Sequence, residues 1–228
     1  MTKTNALKPG KKFITAAAGG AGKSTLAMLM ASTALNLGKK IDIFDADPAN
    51  PTARRYYKSI PPQNLLEDDR PEALVRFLED QVFATDNAAI LDLGANMEGT
   101  VLRWMGDRGA VVAPEICFIV PVSKRDGIKA AGRIALNRGE ASVLLVINEA
   151  GPDWEAAAAD PAFKHLISQV GQPASLPHLG PTMEKVHATS MPPHLMVKSE
   201  HRFERQGGIN LLRKIEYVFL DHPDFRPW

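Results

Sequence analysis

The chain has 228 residues, a length that fits one α/β domain with a sizeable hydrophobic core. Its 27 Lys and Arg residues almost balance its 26 Asp and Glu residues, which argues against a globally basic nucleic-acid-binding protein but allows a local basic patch. The one cysteine excludes a disulfide framework and a four-cysteine metal site within one chain. The segment Met1–Gly10 lacks the apolar core of a signal peptide, and no stretch approaches the roughly 20 apolar residues of a membrane span. We therefore expect a cytoplasmic protein that folds as a single domain over residues 1–228.

Apolar runs alternate with helical patterns along the chain, which predicts an α/β fold with a doubly wound, mostly parallel sheet and helices on both faces. The predicted strands are Lys12–Ala16, Lys40–Asp45, Ala88–Leu93, Ile116–Pro121, Ser142–Asn148 and Ala174–Leu176. The predicted helices are Lys23–Leu37, Pro71–Asp80, Thr100–Arg108, Asp126–Asn137, Pro161–Val170 and Ile209–Leu220. Gly38 is expected to end the first helix. Two proline-rich stretches, Pro48–Asp69 and Gly171–Pro193, are predicted to be largely loops that carry functional groups.

A glycine-rich segment, Ala17–Thr25 with the sequence AAGGAGKST, lies between the first strand and the first helix. Its glycines allow successive backbone N–H groups to curl around phosphate oxygens, and the start of the helix adds partial positive charge. Lys23 can reach the β- and γ-phosphates of a nucleotide, and the Ser24 hydroxyl can ligate Mg²⁺. The strand–loop–helix context is the one a P-loop requires. The sequence therefore predicts a nucleotide site made by Gly19, Gly20, Ala21, Gly22, Lys23, Ser24 and Thr25.

Acidic side chains follow two of the predicted strands. Asp45 and Asp47 come at the end of the second strand, at spacing i and i+2, and point the same way at its carboxyl end. Asp92 ends an apolar run in the third strand, the pattern of a Walker B carboxylate that takes Mg²⁺ through a bound water. A capped turn after the second strand and a helix cap at Asp92 are the structural alternatives.

Taken together, the Gly-Gly-x-Gly-Lys-Ser loop, the Asp-x-Asp-Pro segment from Asp45 and the Asp92 strand resemble the ParA/MinD family of deviant Walker A ATPases, over about Lys12–Pro177. The resemblance implies a P-loop NTPase fold, with ATP as substrate and Mg²⁺ as cofactor. It implies that Mg²⁺ is held by Ser24, Asp45 and Asp92, and that Asp47 activates water while Lys23 stabilises the developing charge. It further implies adenine contacts from Asn148 and Pro177, although an asparagine that only ends a strand is an equal alternative.

One departure from the family pattern concerns Ala18. The family's signature lysine stands immediately before Gly-Gly and reaches across a dimer to the partner's nucleotide. Our hypothesis is that Lys124, Arg125, Arg54 or Arg55 supplies the missing cation, since all lie near the expected nucleotide side. The alternative is a protein that binds ATP and hardly hydrolyses it.

The resemblance implies a slow, partner-stimulated ATPase that forms an ATP-dependent homodimer, in plasmid partition, plasmid stability or conjugative DNA transfer. Small size and Ala18 favour the StbB/TraL branch. Two interpretations are open for the cations near the C-terminus: nonspecific DNA binding, or a solvated face of mixed charge. These cations are Arg202, Arg205, Arg213 and Lys214. The alternative functions are a small-molecule kinase or ligase similar to dethiobiotin synthetase, and a membrane-surface switch that uses the helix Ile209–Leu220. The polar face of that helix carries few cations, so we expect it to pack on the sheet rather than on a membrane.

Overall fold

The computed structural model describes residues 10–108, 112–123, 125–151 and 153–227. Within these residues, one sheet contains six strands, all parallel, in the order β2-β3-β1-β4-β5-β6. The strands are β1 Lys12–Thr15, β2 Ile41–Ala46, β3 Ala88–Leu93, β4 Ile116–Val122, β5 Ser142–Asn148 and β6 Ala174–Leu176. From the central strand β1 the chain crosses to the edge strand β2, returns to β3 beside β1, and then continues on the other side through β4, β5 and β6. This order confirms the predicted doubly wound α/β fold.

Ten α-helices are assigned in the part of the chain that the structure describes. They are α1 Lys23–Asn36, α2 Thr52–Tyr56, α3 Pro71–Phe77, α4 Glu98–Arg108, α5 Arg125–Asn137, α6 Trp154–Ala159, α7 Pro161–Val170, α8 Pro181–Thr189, α9 Pro193–Met196 and α10 Arg202–Val218. A π-helical turn, Leu78–Val82, continues α3. Gly38 ends α1 as predicted, with a φ of 69° and its N–H on the Leu35 carbonyl at 3.1 Å.

Helices cover both faces of the sheet because successive residues of each buried strand point to opposite sides. Ile14 of β1 joins a core with side chains from α3, α4, α5 and α7. Its neighbour Phe13 joins a second core with side chains from α1, α8, α9 and α10. All seven residues of β4 are buried, including the free Cys117. The two cores fix the sheet between them. The carboxyl ends of its parallel strands therefore lie along one edge, and Asp45 and Asp92 lie near that edge.

Pro48–Asp69 is mostly irregular, as predicted, but the prediction that Gly171–Pro193 is largely loop was wrong. Pro48–Asp69 contains α2 and a 3₁₀ turn, Pro62–Asn64, while Gly171–Pro193 contains β6, the whole of α8 and the start of α9. The physical reason is the position of the prolines. Pro181 and Pro193 each stand at the first position of a helix, where the N–H that proline lacks would have no intrahelical partner.

The last helix begins at Arg202, seven residues before the predicted start at Ile209, and a glycine pair lies inside it. A Cβ on Gly207 would lie 2.8 Å from Thr182 Cγ2, and one on Gly208 would lie 2.8 Å from Met196 Cβ. The glycines therefore let α10 approach α8 and α9 closely. As expected, the apolar stripe that includes Leu211 is buried in the protein rather than exposed. Across the described residues we find no helix with the length and apolar character needed to cross a membrane.

Candidate functional site

The loop between β1 and α1 has the backbone shape that the glycine pattern predicts. Gly20 and Gly22 lie in the left-handed region, with φ of 75° and 97°. Gly22 also has no room for a side chain, since a Cβ there would lie 2.5 Å from Asn148 Nδ2. The first turn of α1 contains no acidic residue. The loop thus curls tightly onto the N-terminus of α1. The partial positive charge there is not offset by a carboxylate in the first turn of the helix.

Lys23, the first residue of α1, is almost fully buried at 7 % exposed. Its Nζ bends back over the loop and donates a hydrogen bond of 3.4 Å to the Ala18 carbonyl. Burial lowers the pKa of Lys23, and the negative charges of Asp92, Asp47 and Glu98 oppose that shift. The ammonium group therefore lies over the glycine-rich loop, within electrostatic reach of Asp92 and Asp47.

Three polar residues form a row across the adjacent strands β1, β3 and β2. Thr15 is the register partner of Asp92, and Asp92 is the register partner of Asp45. All three are buried. Thr15 Oγ1 donates a hydrogen bond to Asp92 Oδ1 at 3.3 Å. The sequence predicted both carboxylates separately, and the sheet places them side by side.

Asp92 carries a buried polar atom without a partner. Its Oδ2 makes no hydrogen bond within the described residues. Burial raises the pKa of Asp92 to about 7, while the Ser24 hydroxyl and the Lys23 ammonium oppose the shift. Buried polar atoms are normally paired, so an unpaired carboxylate oxygen beside Ser24 indicates a place for a bound cation or its water. The residues present therefore fit Mg²⁺.

Asp45 has a second role that the sequence analysis missed. It lies inside β2 rather than beyond it, and Oδ1 and Oδ2 accept the backbone N–H groups of Asp47 and Arg54, each at 3.1 Å. Burial raises the pKa of Asp45, and these N–H donors oppose the shift. One carboxylate thus fixes both ends of the turn from Asp47 to Arg54. Asp47 itself is partly exposed, and its Oδ1 accepts the N–H of Asn50 at 3.0 Å.

Asn148, at the end of β5, contacts the loop directly. Its Nδ2 donates to the Ala21 carbonyl at 3.0 Å, and its Oδ1 accepts the Ala150 N–H at 3.2 Å. Asn148 and Thr25 also line one side of a cavity of about 180 Å³. The rest of the wall consists of Ala150, Leu176, residues 178–180 and three residues of α8: Met183, Glu184 and His187. Pro177 lies between two lining residues and is not itself a lining residue. The sequence analysis missed this wall because α8 was predicted as loop.

The four candidate cations differ in what the structure places around them. The Arg55 guanidinium donates to Ser190 Oγ at 3.0 Å and to the His187 carbonyl at 3.3 Å. The Arg54 side chain is exposed, and only its backbone N–H is held by Asp45. Lys124 lies outside the described residues, and so does the side chain of Arg125.

A family model described as the CobQ/CobB/MinD/ParA nucleotide binding domain matches residues 12–215. A variant of McdA from Cyanothece in complex with ATP is similar in structure, with a TM-score of 0.56, 16% identity, and 93% of this chain and 96% of that chain covered. A nucleotide-binding protein from Archaeoglobus fulgidus in complex with ADP has a TM-score of 0.51 and 15% identity, with coverage of 96% and 93%. The MinC:MinD cell division protein complex of Aquifex aeolicus has a TM-score of 0.50 and 15% identity, with coverage of 91% and 96%. No curated protein sequence matches the chain.

The solved structures share the fold at low identity, and the family model spans the region from the first residue of β1 into α10. The glycine-rich loop, the buried lysine and the Asp92 strand all lie within the matched residues. The chain therefore belongs to the CobQ/CobB/MinD/ParA nucleotide-binding domain family.

Proposed function

We propose that the chain is a single-domain ParA/MinD-like ATPase, over residues 1–228, that acts as a nucleotide-dependent dimerisation switch. The observation that carries this proposal is the unpaired Oδ2 of Asp92, buried beside Ser24 and Lys23 at the start of α1. Thr15 donates to the other oxygen of this carboxylate, and Oδ2 has no hydrogen-bond partner among the described residues. A triphosphate bound to the loop together with a metal ion requires an acceptor oxygen of this kind.

In this proposal the residues of the site divide phosphate binding and Mg²⁺ binding among them. Backbone N–H groups of Gly19, Gly20, Ala21, Gly22 and Thr25 bind phosphate oxygens, with the Lys23 ammonium on the β- and γ-phosphates. Ser24 and Asp92 hold Mg²⁺, directly or through water, and Asp45 contributes to its outer shell while it fixes the turn from Asp47 to Arg54. When bound, Mg²⁺ neutralises charge on the phosphate oxygens.

Hydrolysis depends on the position of Asp47. Its partly exposed carboxylate begins the turn that Asp45 holds, and its charge acts on the buried Lys23. We assign to Asp47 the orientation of the attacking water and to Lys23 the stabilisation of negative charge that develops on the γ-phosphate.

The experiment that tests the switch is the mass by light scattering after size exclusion, without nucleotide, with Mg-ADP and with Mg-ATP. We expect a dimer in ATP alone, and accumulation of that dimer in Asp47→Ala because hydrolysis no longer resets it. Asp69→Ala is the matched control, since Asp69 is an exposed carboxylate outside the site. A monomer in every condition, with nucleotide bound, would contradict a dimerisation switch.

For the base, we propose adenine contacts from Asn148, in the cavity beside Thr25, and from Pro177, which lies between the lining residues Leu176 and His178. The position of Asn148 at the cavity supports this role, although its Nδ2 also holds the loop through the Ala21 carbonyl. Asn148→Asp changes the amide donor to an acceptor. If the amide reads the base, ATP affinity falls more than tripolyphosphate affinity in calorimetry; an equal fall means that Asn148 only supports the loop.

For the cation that Ala18 lacks, Arg54 is the candidate that the contacts favour, because the Arg55 guanidinium already has two partners within the chain. Arg54→Ala is expected to remove the ATP-dependent dimer while ATP still binds. A dimer that persists in this variant would transfer the role to Lys124 or Arg125, or remove the need for such a cation.

We further propose that the switch serves plasmid partition, stability or conjugation, in the StbB/TraL branch, with a partner protein and nonspecific DNA. The exposed cations Arg202, Arg205, Arg213 and Lys214 on α10 support DNA binding. The Glu204 carboxylate is engaged by Lys185 Nζ at 2.7 Å, so it offsets these cations less. In fluorescence polarisation with a DNA duplex and Mg-ATP, Arg213→Gln should weaken binding and reduce its salt dependence. Arg103→Gln, an exposed cation on α4, is the matched control and should change neither.

A further inference from the structure

Hydrogen bonds from side chains hold the segment after β2, residues 47–57, near both of its ends. Asp45 accepts the backbone N–H groups of Asp47, the first residue of the segment, and of Arg54, near its end. At its end, the Tyr56 hydroxyl forms a short hydrogen bond with Nδ1 of His187 on α8, and the two rings lie 6.1 Å apart. Tyr56 is buried at 3 % exposed and His187 is exposed, so this bond is partly buried. Together with the Arg55 guanidinium, which donates to the His187 carbonyl and to Ser190 Oγ, this bond attaches the segment that carries Asp47 to α8.

His187 also lines the cavity of about 180 Å³ described above. It does so together with Glu184 and Met183 of α8 and with Thr25 and Asn148. A nine-residue helix thus contacts both the segment 47–57 and the cavity, and His187 takes part in both contacts. Whatever fills the cavity contacts the helix that holds Tyr56.

We propose that Tyr56 is a positioning residue that couples occupancy of the cavity by the nucleotide base to the position of the segment carrying Asp47. This inference rests on the proposed function, because it takes the cavity to be the base site. A base packed against α8 fixes His187, His187 fixes Tyr56, and the segment is then held at both ends. Phosphate groups alone occupy the loop and leave α8 without that contact, so the coupling is a differential effect of the base.

The neighbouring Tyr57 provides a matched control within the same segment. Its hydroxyl donates to the Met28 carbonyl at 2.6 Å and lies 2.8 Å from Ser32 Oγ, both on α1. Its ring stacks on His194 of α9, with centroids 5.7 Å apart. Removal of this hydroxyl therefore perturbs the same segment, and Tyr57 does not line the cavity.

Limited trypsin digestion tests the coupling without any need for hydrolysis. The segment and its flank carry the exposed cleavage sites Arg54, Arg55 and Lys58. Cleavage there is followed by mass spectrometry in Mg²⁺ with saturating ADP or with saturating pyrophosphate, each confirmed by calorimetry. In the wild type we expect ADP to slow cleavage about fivefold more than pyrophosphate, the factor that one hydrogen bond typically supplies. Tyr56→Phe should abolish the difference, and Tyr57→Phe should retain it.

A second pair of variants changes the other partner. His187→Asn keeps a hydrogen-bonding atom near the position of Nδ1 and should retain the difference between ADP and pyrophosphate, whereas His187→Leu should lose it. Equal protection by both ligands in the wild type, or an unchanged difference in Tyr56→Phe and His187→Leu, overturns the coupling while leaving the ATP-dependent dimer untouched. Failure of the wild type to bind either ligand overturns the proposed function instead.

Discussion

Acidification is expected to destabilise the protein through His194 of α9. The ring stacks on the buried Tyr57, and its Nδ1 lies 3.3 Å from Ser32 Oγ. Burial, assisted by the charge of Lys198, lowers the pKa of His194 from 6.5 to about 4. The unfolded chain therefore binds more protons than the folded chain between these two values, and stability falls as the pH drops through 6.5 and levels off below 4.

The size of the effect follows from the two pKa values. From pH 8 to pH 5, the linkage relation gives a loss of about 2 kcal/mol in the free energy of unfolding from this one group. In His194→Phe the ring still stacks on Tyr57 but does not titrate. The difference between the two proteins cancels the contribution of every other titrating group.

Urea unfolding at pH 8, 7, 6 and 5, followed by circular dichroism, measures this difference directly. The wild type should lose about 2 kcal/mol more than His194→Phe over that range, with most of the loss below pH 6.5. Parallel loss in the two proteins would show that His194 does not titrate with a lowered pKa, and the burial argument would be wrong.

Three further predictions follow from the geometry. Gly22→Ala forces a side chain into a φ of 97° and towards Asn148 Nδ2, so we expect a loss of about 2 kcal/mol in thermal unfolding and at least tenfold weaker nucleotide binding in calorimetry. Asp45→Ala leaves two backbone N–H groups without their acceptor, which should cost about 3 kcal/mol in urea unfolding and expose residues 47–54 to proteases, whereas Asp69→Ala should do neither. Gly208→Val places side-chain atoms against Met196 and the Pro193 carbonyl and should lower stability by ~2 kcal/mol or more; an unchanged melting temperature would show that α10 can move away from α9 at no cost.

The sequence was sufficient where the signal is local. Gly22, Lys23 and Ser24 form a contiguous motif whose strand and helix flanks are adjacent in the chain, and Asp92 ends a buried apolar run. Parallel strands then bring their carboxyl ends together by necessity, which is why separate predictions for β2 and β3 produced one site. The β3, β5 and β6 bounds were predicted to the residue for the same reason, since each is a short buried run between turn signals.

The sequence was insufficient where a signal is ambiguous or nonlocal. Proline at the first position of α8 and of α9 has the same appearance as proline in a loop, so both helices were missed. The hydrogen bond between Tyr56 and His187 joins residues that are 131 positions apart in the sequence, and no local pattern around either residue predicts it. The backbone contacts of Asp45 were missed because they depend on how the chain turns after β2.

The row formed by Thr15, Asp92 and Asp45 also makes ligand binding a test of correct folding. Each of the three belongs to a different strand, and a slip of one residue in either pairing would turn one side chain to the opposite face of the sheet. A molecule with misaligned central strands therefore has no complete site. Nucleotide present during synthesis would bind the properly aligned sheet and stabilise it in proportion to the logarithm of its concentration over the Kd. Cellular nucleotide levels would in this way favour the native strand alignment over its competitors while the chain is still folding.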